Sequence, residues 1–260
     1  MPESAAMPPQ RTAAVFVALL SFFAVASPAA EPAAGTFDAN GVKIRYFVHG
    51  EGEPVVLIHG LFASAWLNWE LPGITTAIAK DHQVIALDLP AYGGSDKPEK
   101  PEAYGPQLAE DVVLLLDHLN IKKAHFVGYS LGGMITMKLL TLHPERVLSA
   151  TVGGMGWVQE GGRNLGLRER MGRPPNGPME MLINSMGKLG ITEDALKAIK
   201  PPVTVVIGDK DPVKGTVGPL RRVRPDWPVV EIKDAGHMNC VLKKDFTDAI
   251  VKWLEKNRQD

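Results

Sequence analysis

A single cysteine, Cys240, among 260 residues leaves this chain no internal disulfide framework. Its stability must come from a buried core, and Cys240 itself reads as a small residue packed beside a functional site. Net charge is nearly absent as well: 28 Lys and Arg face 29 Asp and Glu, for a formal −1. No long basic run occurs, so nothing electrostatic points to nucleic acid as a partner. No internal repeat is visible either. Apolar residues are not scarce, at 45% against 22% charged. That balance excludes a disordered polymer and fits one large domain with a real core.

The longest apolar run, residues 13–26 broken only by Ser21, is shorter than the roughly 20 residues a spanning helix needs. It follows Arg11 and gives way to small residues and Pro28, the pattern of a cleaved secretory signal. Ala24-Val25-Ala26 and Ala30 offer cleavage sites. Residues 1–30 are therefore expected to be a signal peptide. The mature protein is expected to be secreted or periplasmic, without a membrane span. The folded domain is expected over residues 36–260.

From Gly41 onward, strand-like and helix-like patterns alternate. "KIRYFVHG" alternates like an edge strand or hairpin arm, and "VVLIHG" is a continuous β-branched run of the buried parallel kind. "TTAIAK" reads as a short helix and "QVIALDLP" as another buried strand. "PQLAEDVVLLLDHLNI" sets Leu108, Val112, Leu115, Leu116 and Leu119 on one helical face. "KAHFVGYS" is a strand, "LGGMITMKLLTLHP" a helix stopped at Pro144, and "VLSATVGG", "PVTVVIGD" and "WPVVEIKDAG" are strands. "FTDAIVKWLEKN" closes the chain as a helix. Such alternation predicts an α/β fold: a mostly parallel sheet flanked by helices on both faces. About 153–190 breaks the rhythm and reads as a short inserted cap.

The glycines of "GYSLGG" surround one hydroxyl where a buried strand turns sharply into a helix. Gly128 and Gly132 keep side chains away while Ser130 adopts a strained backbone that exposes its oxygen. The helix starting after it presents the Leu131 N–H and a dipole that favours negative charge. A serine nucleophile needs a base, and the base an orienting carboxylate. "DAGHMN" puts His237 in a turn after the last strand, and "GDKDPV" puts Asp209 and Asp211 after the preceding one. The "IHGLFAS" turn would aim the Leu61 N–H at the same point as that of Leu131. Two such donors form an oxyanion hole, worth roughly 3 kcal/mol per donor. His59 in that turn reads as a structural prop, and His118 and His143 as ordinary structural residues.

In "VVLIHGLFASAW", "VIALDLPAYGGSDKP", "FVGYSLGG", "VVIGDKDPV" and "AGH", taken in that order, the chain resembles α/β-hydrolase fold enzymes of the serine hydrolase, esterase-like kind. The resemblance covers most of residues 41–260 outside the cap. It implies an α/β-hydrolase sheet and a triad of Ser130, Asp211 and His237, since the family pattern G-x-x-D selects Asp211. Asp209 is then expected to cap its own turn. It also implies acyl-enzyme chemistry on carboxylic esters, with no metal or organic cofactor and a small-molecule ester as partner. Epoxide hydrolases and haloalkane dehalogenases of the family carry an aspartate where this chain has Ser130. C–C bond hydrolysis, cofactor-free perhydrolysis and a non-catalytic ligand-binding role on the same scaffold are the alternatives.

Two departures from the family pattern bear on the pocket. Ala91-Tyr92 replaces a small glycine-containing turn, so Tyr92 either shapes the pocket or is a surface turn residue. The interval from Ser130 to Asp211 is short, which implies a reduced cap and favours short or compact acyl groups. Met155, Met171, Met179, Met181 and Met186 in that cap read as packing, with a flexible acyl wall as the alternative. Arg163, Arg168, Arg170 and Arg173, interspersed with glutamates, read as a solvated face.

Overall fold

The computed structural model describes residues 33–161 and 176–259. The expected signal peptide therefore lies outside the described residues, as do Met171 and the four arginines of the cap. Eight strands form one sheet in the order β1-β2-β4-β3-β5-β6-β7-β8. They are β1 (Ala33–Ala39), β2 (Val42–His49), β3 (Glu53–Ile58), β4 (His82–Leu87), β5 (Ala124–Tyr129), β6 (Val147–Gly153), β7 (Val203–Gly208) and β8 (Val229–Ile232). β1 and β2 form an antiparallel hairpin, β2 joins β4 antiparallel, and every pairing from β4 to β8 is parallel. β2 is thus a hairpin arm, with β1 outside it. β1 starts at Ala33, ahead of the expected domain start at residue 36. Its small residues hide the alternation that buries Phe37 and Ala39.

The α-helices among the described residues are α1 (Ile74–Ile78), α2 (Gln107–His118), α3 (Leu131–Leu142), α4 (Pro178–Ser185), α5 (Glu193–Ala198), α6 (Val217–Val223) and α7 (Lys244–Lys256). α5 and α6 escape the sequence reading because each is under two turns long, too short for a periodic signal. Thr192 caps α5 by accepting the Ala195 N–H at 3.1 Å.

The central parallel strands are predominantly apolar because both faces are covered. Val55 and Leu57 of β3 enter a core shared with Ile74 and Ile78 of α1 and Phe246, Ile250 and Leu254 of α7. Val56 and Ile58 enter the opposite core, with Leu108, Val112 and Leu115 of α2 and Ile135 and Leu139 of α3. Successive side chains of a strand point to opposite faces, so apolar residues prevail on both. Parallel strands also bring the carboxyl ends of β3, β5, β7 and β8 to one edge, where their loops meet.

Asp88, directly after β4 and 2% exposed, ties its own loop to the segment after β3. Its Oδ1 accepts the Ala65 N–H at 2.9 Å, its Oδ2 accepts the Gly94 N–H at 2.9 Å, and its carbonyl accepts the Ser95 hydroxyl at 2.6 Å. Gly93, at φ 48°, must be glycine, because a Cβ there would fall onto the Asp88 carboxylate. Asp88→Ala leaves the amides of Ala65 and Gly94 without acceptors, each costing about 1–3 kcal/mol. Thermal unfolding should show a loss of roughly 2–5 kcal/mol for Asp88→Ala, with Asp88→Asn losing less because one acceptor oxygen survives. A wild-type melting curve for Asp88→Ala would refute this anchoring role.

Candidate active site

Ser130 sits between β5 and α3 at φ 55° and ψ −112°, a conformation that L-residues avoid at a cost of order 1–3 kcal/mol. Hydrogen bonds on both sides hold it there: Ser130 N–H to the Gly153 carbonyl at 2.8 Å, and Met134 N–H to the Ser130 carbonyl at 3.0 Å. The flanking glycines are steric requirements. A Cβ on Gly128 would strike the Gly132 carbonyl, and one on Gly132 would strike the Ile58 carbonyl at the end of β3. α3 can therefore start flush against two strand ends, with the serine side chain left partly exposed.

His237 reaches Ser130 from the turn after β8. Its Nε2 lies 2.8 Å from Ser130 Oγ, and its Nδ1 lies 2.9 and 3.1 Å from the two oxygens of Asp211. An ionised carboxylate only accepts, so Nδ1 carries the proton, which leaves Nε2 free to accept from the serine hydroxyl. The Asp211 side chain is fully buried, whereas 23% of the His237 side chain is exposed.

Of the two aspartates of "GDKDPV", Asp211 faces His237 as expected, but Asp209 does not cap its own turn. Asp211 Oδ1 also accepts the Val213 N–H at 2.9 Å, so this residue caps the turn as well as facing the imidazole. Asp209 instead accepts the Ala235 N–H at 3.1 Å, which holds its exposed carboxyl below the usual range. Since Lys210 N–H donates to the Ala235 carbonyl at 3.0 Å, the β7 loop and the His237 loop are clamped together. β7 and β8 are neighbours, which is why the partner is a cross-loop amide and not Asp209's own turn.

Tyr129, beside Ser130 in sequence, supports the same loop. Its hydroxyl donates to the His237 carbonyl at 2.5 Å, and its ring packs edge-on to Phe246 at 5.6 Å. Burial pushes that phenol well above its ordinary range. Cys240 packs fully buried beside it, its thiol pushed up to about 12 by burial and by Asp211, and so remains protonated.

The turn after β3 is secured at several points. Gly60 N–H donates to Asn68 Oδ1 at 2.8 Å, the Gly60 carbonyl accepts from His59 Nδ1 at 2.8 Å, and Phe62 N–H donates to the Tyr92 hydroxyl at 3.1 Å. Among the described residues, the N–H groups of Leu61 and Leu131 donate to no protein acceptor. A Cβ on Gly60 would lie 3.3 Å from the Ser130 Cβ, so this turn passes directly beside the serine. Asn68 comes from a π-helical turn, Trp66–Glu70, that the sequence reading does not contain. Tyr92, 7% exposed, is no surface turn residue: its ring meets His59 edge-on at 5.1 Å and its hydroxyl donates to Met179 Sδ at 3.3 Å.

His59 is fully buried, and its Nε2 accepts the Leu89 N–H at 3.0 Å. It is a structural prop between two loops. Burial lowers its pKa from 6.5 to about 4, against smaller opposing effects of the Gly60 carbonyl and Asp88. Between those values the unfolded chain takes up a proton that native His59 refuses, so its contribution to stability falls as pH drops through that window. Imidazole NMR should find His59 neutral at pH 5, with no titration above about 4. An inflection near 6.5 assigned to His59 would contradict its burial as a neutral prop. The remaining histidines of interest are structural too: His118 stacks on Phe37 at 5.5 Å, and His143 pairs with Glu110 at 2.9 Å.

A family model for the alpha/beta hydrolase fold matches residues 53–166. The chain is 40% identical over 129 residues to the dihydrolipoyllysine-residue acetyltransferase component of the acetoin cleaving system of Pseudomonas putida, covering 49% of this chain and 34% of that one. It is 34% identical over 122 residues to 2-hydroxymuconate semialdehyde hydrolase of Pseudomonas sp. (strain CF600), covering 46% and 42%. It is 32% identical over 110 residues to bifunctional epoxide hydrolase 2 of Rattus norvegicus, covering 41% and 19%. The chain thus spans less than half the length of each of these curated relatives. Among solved structures, the meta-cleavage product hydrolase of Pseudomonas fluorescens IP01 superposes with a TM-score of 0.72 at 21% identity, covering 86% of this chain and 98% of that one. A bacterial membrane phospholipase A superposes at 0.68 and 22% identity, covering 88% and 87%. Sheet order, family model and structural neighbours agree: this chain has the α/β-hydrolase fold.

Proposed function

We propose that this protein is a serine hydrolase that cleaves carboxylic esters through an acyl-enzyme. The observation that carries the reading is the unbroken hydrogen-bond path from Ser130 Oγ through His237 to buried Asp211. His237 Nε2 takes the serine proton as Oγ attacks the ester carbonyl, and Asp211 stabilises the imidazolium. The negative oxygen that forms is received by the N–H groups of Leu61 and Leu131. His237 then hands its proton to the departing alcohol. Water, deprotonated by the same imidazole, attacks the acyl-enzyme and releases the acid and the free serine. No cofactor or metal enters this cycle.

A C–C bond hydrolase on the same triad is the second reading, favoured by the 34% identity to 2-hydroxymuconate semialdehyde hydrolase. The ester reading asks less of the site. An alcohol leaves with one proton from His237, whereas a carbon leaving group needs an electron sink within the substrate. Exposed Phe62 and Met238, neighbours of Leu61 and His237, suit an apolar acyl substrate. The acyl group we propose is short or compact. Met155 and Met186 are buried in the core and Met179 is bonded to Tyr92, so these cap methionines are committed to packing. Export to the periplasm or medium, on the Arg11–Ala30 pattern, completes the proposal.

A p-nitrophenyl ester series tests both parts. kcat/KM should rise over the first few carbons and level or fall by decanoate. Ser130→Ala should abolish fluorophosphonate labelling and reduce turnover by several orders of magnitude. Labelling retained at another serine would remove Ser130 from its role. A profile still climbing past decanoate would replace the compact pocket with a long channel. Turnover of vinylogous diketones in place of esters would favour the C–C reading.

Tyr92 acts in this scheme as a positioning residue, through Phe62 and hence Leu61. Tyr92→Phe removes the acceptor of the Phe62 N–H and the donor to Met179, loosening the turn that presents the Leu61 N–H. Loss of a whole oxyanion donor costs about 10²–10³ in kcat, so a loosened one should cost roughly tenfold with KM little changed. An increase in KM at constant kcat would place Tyr92 against the substrate instead.

A further inference from the structure

Asp111 breaks the pattern of its helix. It lies in α2 among Leu108, Val112 and Leu115, and is 2% exposed. Among the described residues its only hydrogen-bond partner is Gln107, whose Nε2 donates to Oδ1 at 2.9 Å. Oδ2 has no protein partner, is not sealed into the core, and no cation pairs with it among the described residues. A buried carboxylate ordinarily brings its countercharge with it. Here burial, with Glu110 nearby, pushes the acid up to about 7.

Asp111 instead lines a cavity of about 550 Å³, within the size range of small-molecule sites. The cavity lies between the β1–β2 turn, residues 96–103 and the start of α2, and shares no residue with the Ser130 site. Val42, Pro98 and Ala103 give it apolar walls. Its lining carries four carboxylates, Asp96, Glu99, Glu102 and Asp111, against two lysines, Lys97 and Lys100. We propose that this cavity is a second binding site, for a primary alkylammonium, with Asp111 receiving the charged head.

The choice of ammonium follows from the free oxygen. A guanidinium seeks two carboxylate oxygens at once, and Oδ1 is already occupied by Gln107. One open oxygen suits a compact point charge, while the hydrocarbon stem lies against the apolar walls. An anion would face four carboxylates, and a neutral ligand would leave the Asp111 charge uncompensated.

The test is thermal unfolding of the full chain at pH 8.5, where Asp111 is ionised, titrated with n-butylammonium. 1-Butanol and sodium butyrate serve as neutral and anionic controls of the same size. Wild type should melt about 3 °C higher at saturating n-butylammonium, a saturable shift that neither control reproduces. Asp111→Asn keeps an oxygen for Gln107 and should lose the shift. Ala103→Leu, which fills the wall and leaves the carboxyl in place, should lose it too and guards against a folding defect in the first variant. No shift in wild type, an equal shift with 1-butanol, or an undiminished shift in Asp111→Asn would overturn the site. None of these readouts uses ester turnover, so they stand apart from the fate of the serine hydrolase reading.

Discussion

The backbone turn at Ser130 is the constraint on which the site depends. A residue held at positive φ between a parallel strand and a helix turns its side chain out of the sheet edge and starts α3 against the ends of β3 and β5. That geometry tolerates no side chain at Gly128 or Gly132, and it persists because the Gly153 carbonyl and the first turn of α3 secure both sides of the serine. Relaxing Ser130 would move the hydroxyl away from the imidazole and the Leu131 amide away from the turn after β3. Local strain, offset by surrounding hydrogen bonds, is what sets the position of the hydroxyl.

Around that turn, loops from different strands are fastened to each other more than to themselves. Tyr129 holds the carbonyl of His237, Asp209 holds Ala235, and Asp88 joins the segments that carry Ala65 and Gly94. Tyr92 links the turn after β3 to α4, and Asn68 fixes Gly60. Apart from the solvent-accessible carboxyl of Asp209, these contacts use polar atoms at least partly withdrawn from water, whose desolvation would be costly if they were left unpaired. The imidazole is thereby held from the strand side and the aspartate from its own turn, with little freedom between them.

Much of this was legible in the chain itself. Continuous apolar runs announced parallel strands, because alternate residues entering two cores must both be apolar. The glycine spacing around Ser130 announced the sharp turn, because close backbone approach excludes Cβ atoms. Other parts were hidden for definite reasons. β1 is built of small residues, α5 and α6 are shorter than a periodic pattern, and the π-helical turn carrying Asn68 looks like loop. The burial of Asp111 in α2 is also visible only in the fold, because a carboxylate gives no apolar signal to the helical periodicity.

By itself, then, the sequence determined the α/β layering, the strained elbow and the residue types that converge at the sheet edge, since these follow from side-chain periodicity and local backbone sterics. Only the tertiary structure decided which atom answers which. Asp209 clamps the neighbouring loop instead of capping its own turn, Asp211 adds the Val213 amide to its imidazole partner, and Tyr92 is interior with its hydroxyl shared between Phe62 and Met179. Hydrogen bonds reach only about 3 Å. Their partners are therefore chosen by which strands lie side by side, an arrangement that residues tens of positions apart settle together.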